Sequence, residues 1–121
     1  MLRRIASTWY WIVVFWLVSA PVAGHAILLE STPGNGAEVK DPDLRVELRF
    51  NSRIDFKRSR LILILPDLRE QALTILPGDR ADLLRAQTGG LAPGMHALHW
   101  QVLSVDGHIT RGDVPFTIEL P

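Results

Sequence analysis

Leu44-Arg45-Val46-Glu47-Leu48-Arg49-Phe50 alternates without interruption: Leu44, Val46, Leu48 and Phe50 fall on one side, Arg45, Glu47 and Arg49 on the other. Successive side chains point to opposite faces only in extended backbone, so the run predicts a β-strand with one buried and one wet face. The rest of the chain repeats the theme. Downstream, Asn51 to Lys57 is polar and irregular apart from Ile54 and Phe56, which tuck under the core. Leu61-Ile62-Leu63-Ile64-Leu65 is a short continuous apolar run, suited to a central strand, and it stops at Pro66-Asp67. Gln71 to Leu76 reads as another strand closed by Pro77-Gly78-Asp79, and Asp82-Leu83-Leu84 as a strand or a helical turn. Gly89 to Gly94 is a loop. From Met95 to Ser104, His96, Leu98, Trp100 and Val102 share one face, and Val114, Phe116 and Ile118 alternate near the C-terminus. Pro115, which has no amide donor, marks an edge or a bulge. Upstream, Ile27-Leu28-Leu29 predicts a first strand that ends at the turn cluster Ser31 to Gly36. Roughly seven short strands and no long amphipathic helix imply an all-β domain, an antiparallel β-sandwich or Greek-key barrel of immunoglobulin-like type.

The first 24 residues read differently. Arg3 and Arg4 precede an apolar and aromatic run from Trp9 to Leu17, and Ser19, Ala20, Val22, Ala23 and Gly24 supply small residues. This is the layout of a secretory signal peptide. Its apolar core, about ten residues, is shorter than the roughly twenty needed to span a bilayer. Cleavage after Ala20, Ala23 or Gly24 satisfies the small-residue rule. With the last of these cuts the chain divides into a signal peptide over 1–24 and a β-domain over 25–121, the mature form being exported, periplasmic and not membrane-spanning.

The 97 residues after Gly24 carry 11 basic and 13 acidic side chains, a formal balance of minus two. That is no footprint for nucleic acid or an anionic membrane. Cysteine is absent, so the exported domain must be held by packing alone, and zinc-thiolate, iron-sulfur and blue-copper sites are excluded. No nucleophile-base pair or phosphate loop is present, which argues against an enzyme.

Two stretches carry chemistry. A histidine freed as the N-terminus, as His25 would be after cleavage at Gly24, offers copper(II) its α-amine and a ring nitrogen together, and the amine's pKa of about 7.7 to 8.0 lets a metal displace its proton near neutrality. His25 is otherwise only the polar residue beside a cleavage site. Asp106 and His108, two apart on an extended segment, would point the same way, with Gly107 free to bend between them. Asp-Gly is equally a common hairpin turn. Among the other candidates, His96 shares the buried face and reads as a packed residue, His99 points outward, Trp100 packs in the core and Arg111 is an exposed charge.

Over His25-Ala26, Ser31-Thr32-Pro33, Leu48 to Phe50 and above all Trp100-Gln101-Val102-Leu103-Ser104-Val105-Asp106-Gly107-His108, with Gly112 and Phe116 behind it, the chain resembles the CopC-type periplasmic copper-binding proteins associated with copper resistance. The resemblance implies an immunoglobulin-like β-barrel binding copper(II) through the amine and imidazole of His25, the carboxylate of Asp106 and the imidazole of His108. It implies cleavage after Gly24, a role as copper carrier or buffer, and a membrane copper transporter as partner. Three nitrogens and a carboxylate oxygen suit copper(II), which tops the divalent affinity order. Ser104 or a strand carbonyl would orient a ligating imidazole. Some members have an acidic residue shortly after the strand phenylalanine; here Asn51, Ser52 and Arg53 follow Phe50. Others have a methionine-rich copper(I) segment; Met95 is the only methionine after the signal. Two other readings remain on the sequence alone: an oxidative enzyme with a histidine-brace copper, as in lytic polysaccharide monooxygenases, and a metal-free immunoglobulin-like interaction module.

Overall fold

The alternating run becomes strand β3 (Leu44–Phe50), with Leu44, Val46, Leu48 and Phe50 buried and Arg45 exposed. The computed structural model describes residues 25–121; the proposed signal peptide and its cleavage site lie outside them. In chain order the other strands are β1 (Leu28–Thr32), β2 (Ala37–Val39), β4 (Arg60–Ile64), β5 (Glu70–Leu73), β6 (Leu83–Thr88), β7 (Gly94–Leu103) and β8 (Ile109–Ile118). A single 3-10 turn, Phe56–Arg58, is the only helical segment among the described residues. β1, β3 and β6 form one sheet in that order; β2, β8, β7, β4 and β5 form the other.

The sheets pack face to face because each presents one apolar side. β3 contributes its four buried residues and β6 contributes Leu84 and Ala86. From the larger sheet come Leu61 and Leu63 of β4, Leu98, Trp100 and Val102 of β7, and Val114, Phe116 and Ile118 of β8. Burying each large apolar side chain contributes about 1.5–3 kcal/mol, which is how a cysteine-free domain of this size holds together. The fold is thus the expected β-sandwich.

Several boundaries differ from the sequence reading. β1 starts one residue later and continues through Thr32, because its backbone pairs with β3 beyond the apolar stretch. A bulge between Leu28 and Glu30 leaves Leu29 exposed. The predicted strand at Gln71–Leu76 stops at Leu73, and Leu76 only touches β6 through a bridge to Arg85. The segment around Leu83-Leu84 is a strand, extended to Thr88 by pairing with β3. β2 was not foreseen: three residues long, it runs parallel to the end of β8, so one pairing departs from the antiparallel pattern. Pro115 lies where β8 has no partner on its far side, since β2 joins only from Phe116 onward. The Pro115 carbonyl accepts from Gly36 N at 2.7 Å on that side, so its donor-less nitrogen also faces away from β7, as an edge position requires.

β7 and β8 form the longest hairpin, paired from Gly94/Ile118 to Leu103/Ile109. Within it the Trp100 ring lies over Gly112, so closely that a β-carbon at that glycine would collide with the indole. Gly112→Ala should therefore destabilise the protein by about 1–3 kcal/mol through overpacking, read as a lower urea midpoint with an unchanged slope.

Candidate metal centre

The β7–β8 hairpin closes through the turn that carries Asp106 and His108. Gly107 N donates to Ser104 O and Ser104 N donates to His108 O, both at 2.9 Å. Gly107 has a φ of +97°, in the left-handed region where a side chain is strained. A β-turn followed by a left-handed residue is the usual three-residue hairpin loop. The expectation that alternation along extended backbone aligns Asp106 with His108 is therefore corrected. The curl of the turn brings the two together, with His108 Nδ1 at 3.2 Å from Asp106 Oδ1.

Ser104 holds this carboxylate from beneath. Its side chain is buried and its Oγ lies 2.5 Å from Asp106 Oδ1 and 3.2 Å from the His108 carbonyl. A hydroxyl has one hydrogen to give, and the shorter contact to the charged oxygen takes it. The Ser104 hydrogen bond, then that from His108, hold the Asp106 carboxyl below its ordinary pKa. The sequence offers Ser104 or a strand carbonyl to orient an imidazole; in the structure the Ser104 hydroxyl engages the Asp106 carboxylate. A carboxylate only accepts, so His108 Nδ1 carries the proton in this contact. In the neutral ring the lone pair is then on Nε2.

The turn rests on the loop after β3. Ile54 forms a bridge to Ser104, Asp55 N donates to Leu103 O at 2.8 Å, and Leu103 N donates to Ser59 Oγ at 3.1 Å. Ile54 is buried and Phe56 packs against the core, as their apolar character predicted.

His25 arrives from the other sheet. It lies immediately before Ala26, which is only 1% exposed and sits in the core. The His25 ring centre is 5.1 Å from that of His108, edge to face at 74°. Two imidazoles on one ion, with metal–nitrogen bonds of about 2 Å, hold their ring centres within roughly 6 Å, so this spacing fits a shared ion. Among the described residues, no three histidine or acidic side chains converge into a complete cage. His25 meets His108 ring to ring, and Asp106 meets His108 at Nδ1. Asp106, half-exposed, uses Oδ1 for both of its side-chain contacts.

The remaining candidates fall where the sequence placed them. His96 is buried and stacked on Phe116, with Nδ1 at 3.0 Å from the Gly94 carbonyl and Nε2 buried without a partner. His99 lies on the outer sheet face, with Nδ1 at 2.7 Å from Asp113. Trp100 is buried and meets Phe50 edge to face. Arg111 is exposed and donates to Gln101. Two features escaped sequence reading: the burial of Ala26, and Asn51, whose side chain engages the Ile27 amide. A cleft of about 570 Å³ lined by Asp41, Asp43, Leu44, Arg45, Gln87, Thr88 and Gly89 contains none of the three candidate ligands.

Fold and site together define a two-sheet immunoglobulin-like sandwich with a histidine pair and a carboxylate gathered at one pole. The chain belongs to the CopC family, whose domain model matches residues 28–119. It is 26% identical over 111 residues to copper resistance protein C of Pseudomonas syringae pv. tomato, covering 85% of this chain and 87% of that one. It is also 26% identical over 117 residues to the copper transport protein CutJ of Bacillus subtilis, covering 93% of this chain but only 22% of the length of CutJ. The solved CopC structure from Methylosinus trichosporium OB3b superposes with a TM-score of 0.72 at 24% identity, over 79% of this chain and 95% of that one.

Removing the Ser104 hydroxyl tests the local electrostatics. Ser104→Ala should raise the Asp106 pKa toward its ordinary value, followed by carboxyl chemical shift against pH. The folded-state pKa lies below the unfolded one, so Asp106 contributes stability above the unfolded value and loses it as pH falls through the folded value. In the variant, that contribution should be smaller and its loss on acidification complete at a higher pH.

Proposed function

We propose that this protein is an exported copper(II)-binding protein, a carrier or buffer in copper resistance or homeostasis, with no catalysis of its own. The observation that carries the reading is the meeting of His25 with His108, two rings 5.1 Å apart that come from opposite ends of the domain. Once the signal is removed after Gly24, His25 supplies its α-amine and imidazole, His108 its Nε2, and Asp106 its unengaged carboxylate oxygen. Three nitrogens and one oxygen make a set that prefers copper(II) among divalent ions. The fourth donor, the amine, exists only in the processed protein.

The family supports copper as the cargo, and two of the relatives are named for copper resistance and copper transport. Export to the periplasm is supported by the sequence of residues 1–24; no helix among the described residues is long and apolar enough to cross a membrane. A membrane copper transporter is the partner we propose, because the chain matches only a fifth of the longer copper transport protein CutJ. Three exposed apolar side chains flank the ligands, Ile27, Val105 and Ile109, so a receiving protein would meet an apolar rim as it reaches the ion. Met95 stands exposed at the far end of β7, roughly 25–30 Å from the turn at the strand rise of about 3.4 Å per residue, too far to add a thioether to this site.

Copper(II) titration of protein beginning at His25 should give one tight equivalent. Adding one residue before His25, or His108→Ala, should abolish competition with a strong chelator and alter the nitrogen couplings in the electron paramagnetic resonance spectrum. Equal binding with and without the added residue would overturn the site. Mass analysis of the exported protein checks the premise, since a chain beginning at Pro21 or Gly24 has no such amine.

A further inference from the structure

His25 can act as a ligand only if the arm that carries it stays in place, and the arm is short. β1 pairs with β3 from Leu28↔Phe50 onward; His25, Ala26 and Ile27 precede that ladder. Chain ends fray unless something ties them down. Ala26 gives one tie, its methyl buried in the core. The second is a reciprocal pair of hydrogen bonds with Asn51, the first residue after β3. Ile27 N donates to Asn51 Oδ1 at 2.8 Å, and Asn51 N donates to Ile27 O at 3.0 Å. The donor on Ile27 fixes which end of the Asn51 amide faces it. With both ends of Ile27 held, the exposed–buried–exposed pattern of residues 25–27 directs His25 outward beside His108.

We propose that Asn51 is a positioning residue for the metal centre: by clamping Ile27 it holds His25 at the distance from His108 at which both rings share one ion. The proposal rests on the copper reading above. Asn51 is not itself a ligand, because its Oδ1 is occupied by the Ile27 amide. The backbone bond from Asn51 N survives any substitution except proline, so side-chain variants remove one half of the clamp and leave the fold intact; Asn51 is exposed and supports no core contact. Partners that orient a metal ligand typically change affinity by about 10- to 100-fold when removed.

The test uses protein beginning at residue 25, in parent, Asn51→Ala and Asn51→Asp forms, each with and without His25→Ala. Without metal, Asn51→Ala should speed hydrogen exchange at the Ile27 amide and weaken the nuclear Overhauser contact between the His25 and His108 rings, with an unchanged circular dichroism spectrum. With copper(II), Asn51→Ala should bind about 10- to 100-fold more weakly, while Asn51→Asp, which keeps an acceptor, should bind at least as tightly as the parent. In the His25→Ala background Asn51→Ala should have a smaller effect, since only the α-amine is then left for the clamp to position. Parent-like affinity in Asn51→Ala, or an equal loss in the His25→Ala background, overturns the clamp while the copper reading stands. A parent that holds no copper overturns the copper reading, and the metal role of Asn51 falls with it, whatever the exchange data show.

Discussion

Phe50 of β3 meets Trp100 of β7 edge to face, with ring centres 5.2 Å apart. This contact joins the two sheets, and much else is placed by it. Aromatic pairs in this geometry contribute about 0.5–1.5 kcal/mol beyond the area they bury, and here no disulfide shares the task. Trp100 fits only because Gly112 across the hairpin has no side chain. Phe50 is followed directly by Asn51, and Trp100 lies four residues before Ser104. The interface that holds the sandwich together therefore also sets the separation between the arm bearing His25 and the turn bearing Asp106 and His108.

The two halves of the pole are built by different means. Asp106 and His108 sit on the longest paired hairpin, in a turn stiffened by Gly107, by the buried Ser104 hydroxyl and by the loop around Ile54 beneath it. His25 sits on three residues held by one buried methyl and one amide clamp. In the proposed copper site, a preformed carboxylate and imidazole would thus be completed by a ligand delivered by the other sheet. The Asp106 carboxyl is held below its ordinary pKa by Ser104 and then by His108, so near neutrality it is a carboxylate rather than an acid.

Much of the sandwich was legible because alternation survives wherever one sheet face is dry. The faces of β3, β7 and β8 were readable residue by residue, down to the outward His99 and the buried His96. What failed was pairing that owes nothing to side-chain pattern. β2 has three residues and is recruited by the backbone of β8. β1 continues through Ser31 and Thr32 because β3 lies beside it, although those residues look like a turn. At the site, the identities of His25, Asp106 and His108 were visible as residue types at suggestive places. The route by which Asp106 reaches His108 was not, because Asp-Gly reads the same whether it continues a strand or turns a corner. Asn51 gave no signal at all: an asparagine after a strand is ordinary until the amide it accepts from is known.

The open side of β8 has a consequence for self-association. A strand whose backbone donors and acceptors face solvent is a template on which another chain can add itself. β8 has such a side from Ile109 to Pro115, where β2 has not yet joined. Pro115 removes a donor there and Gly36 occupies its carbonyl, so a foreign strand propagating along this border would lose its ladder just where β2 begins. For a cysteine-free protein, that interruption guards against self-templated aggregation without a covalent lock.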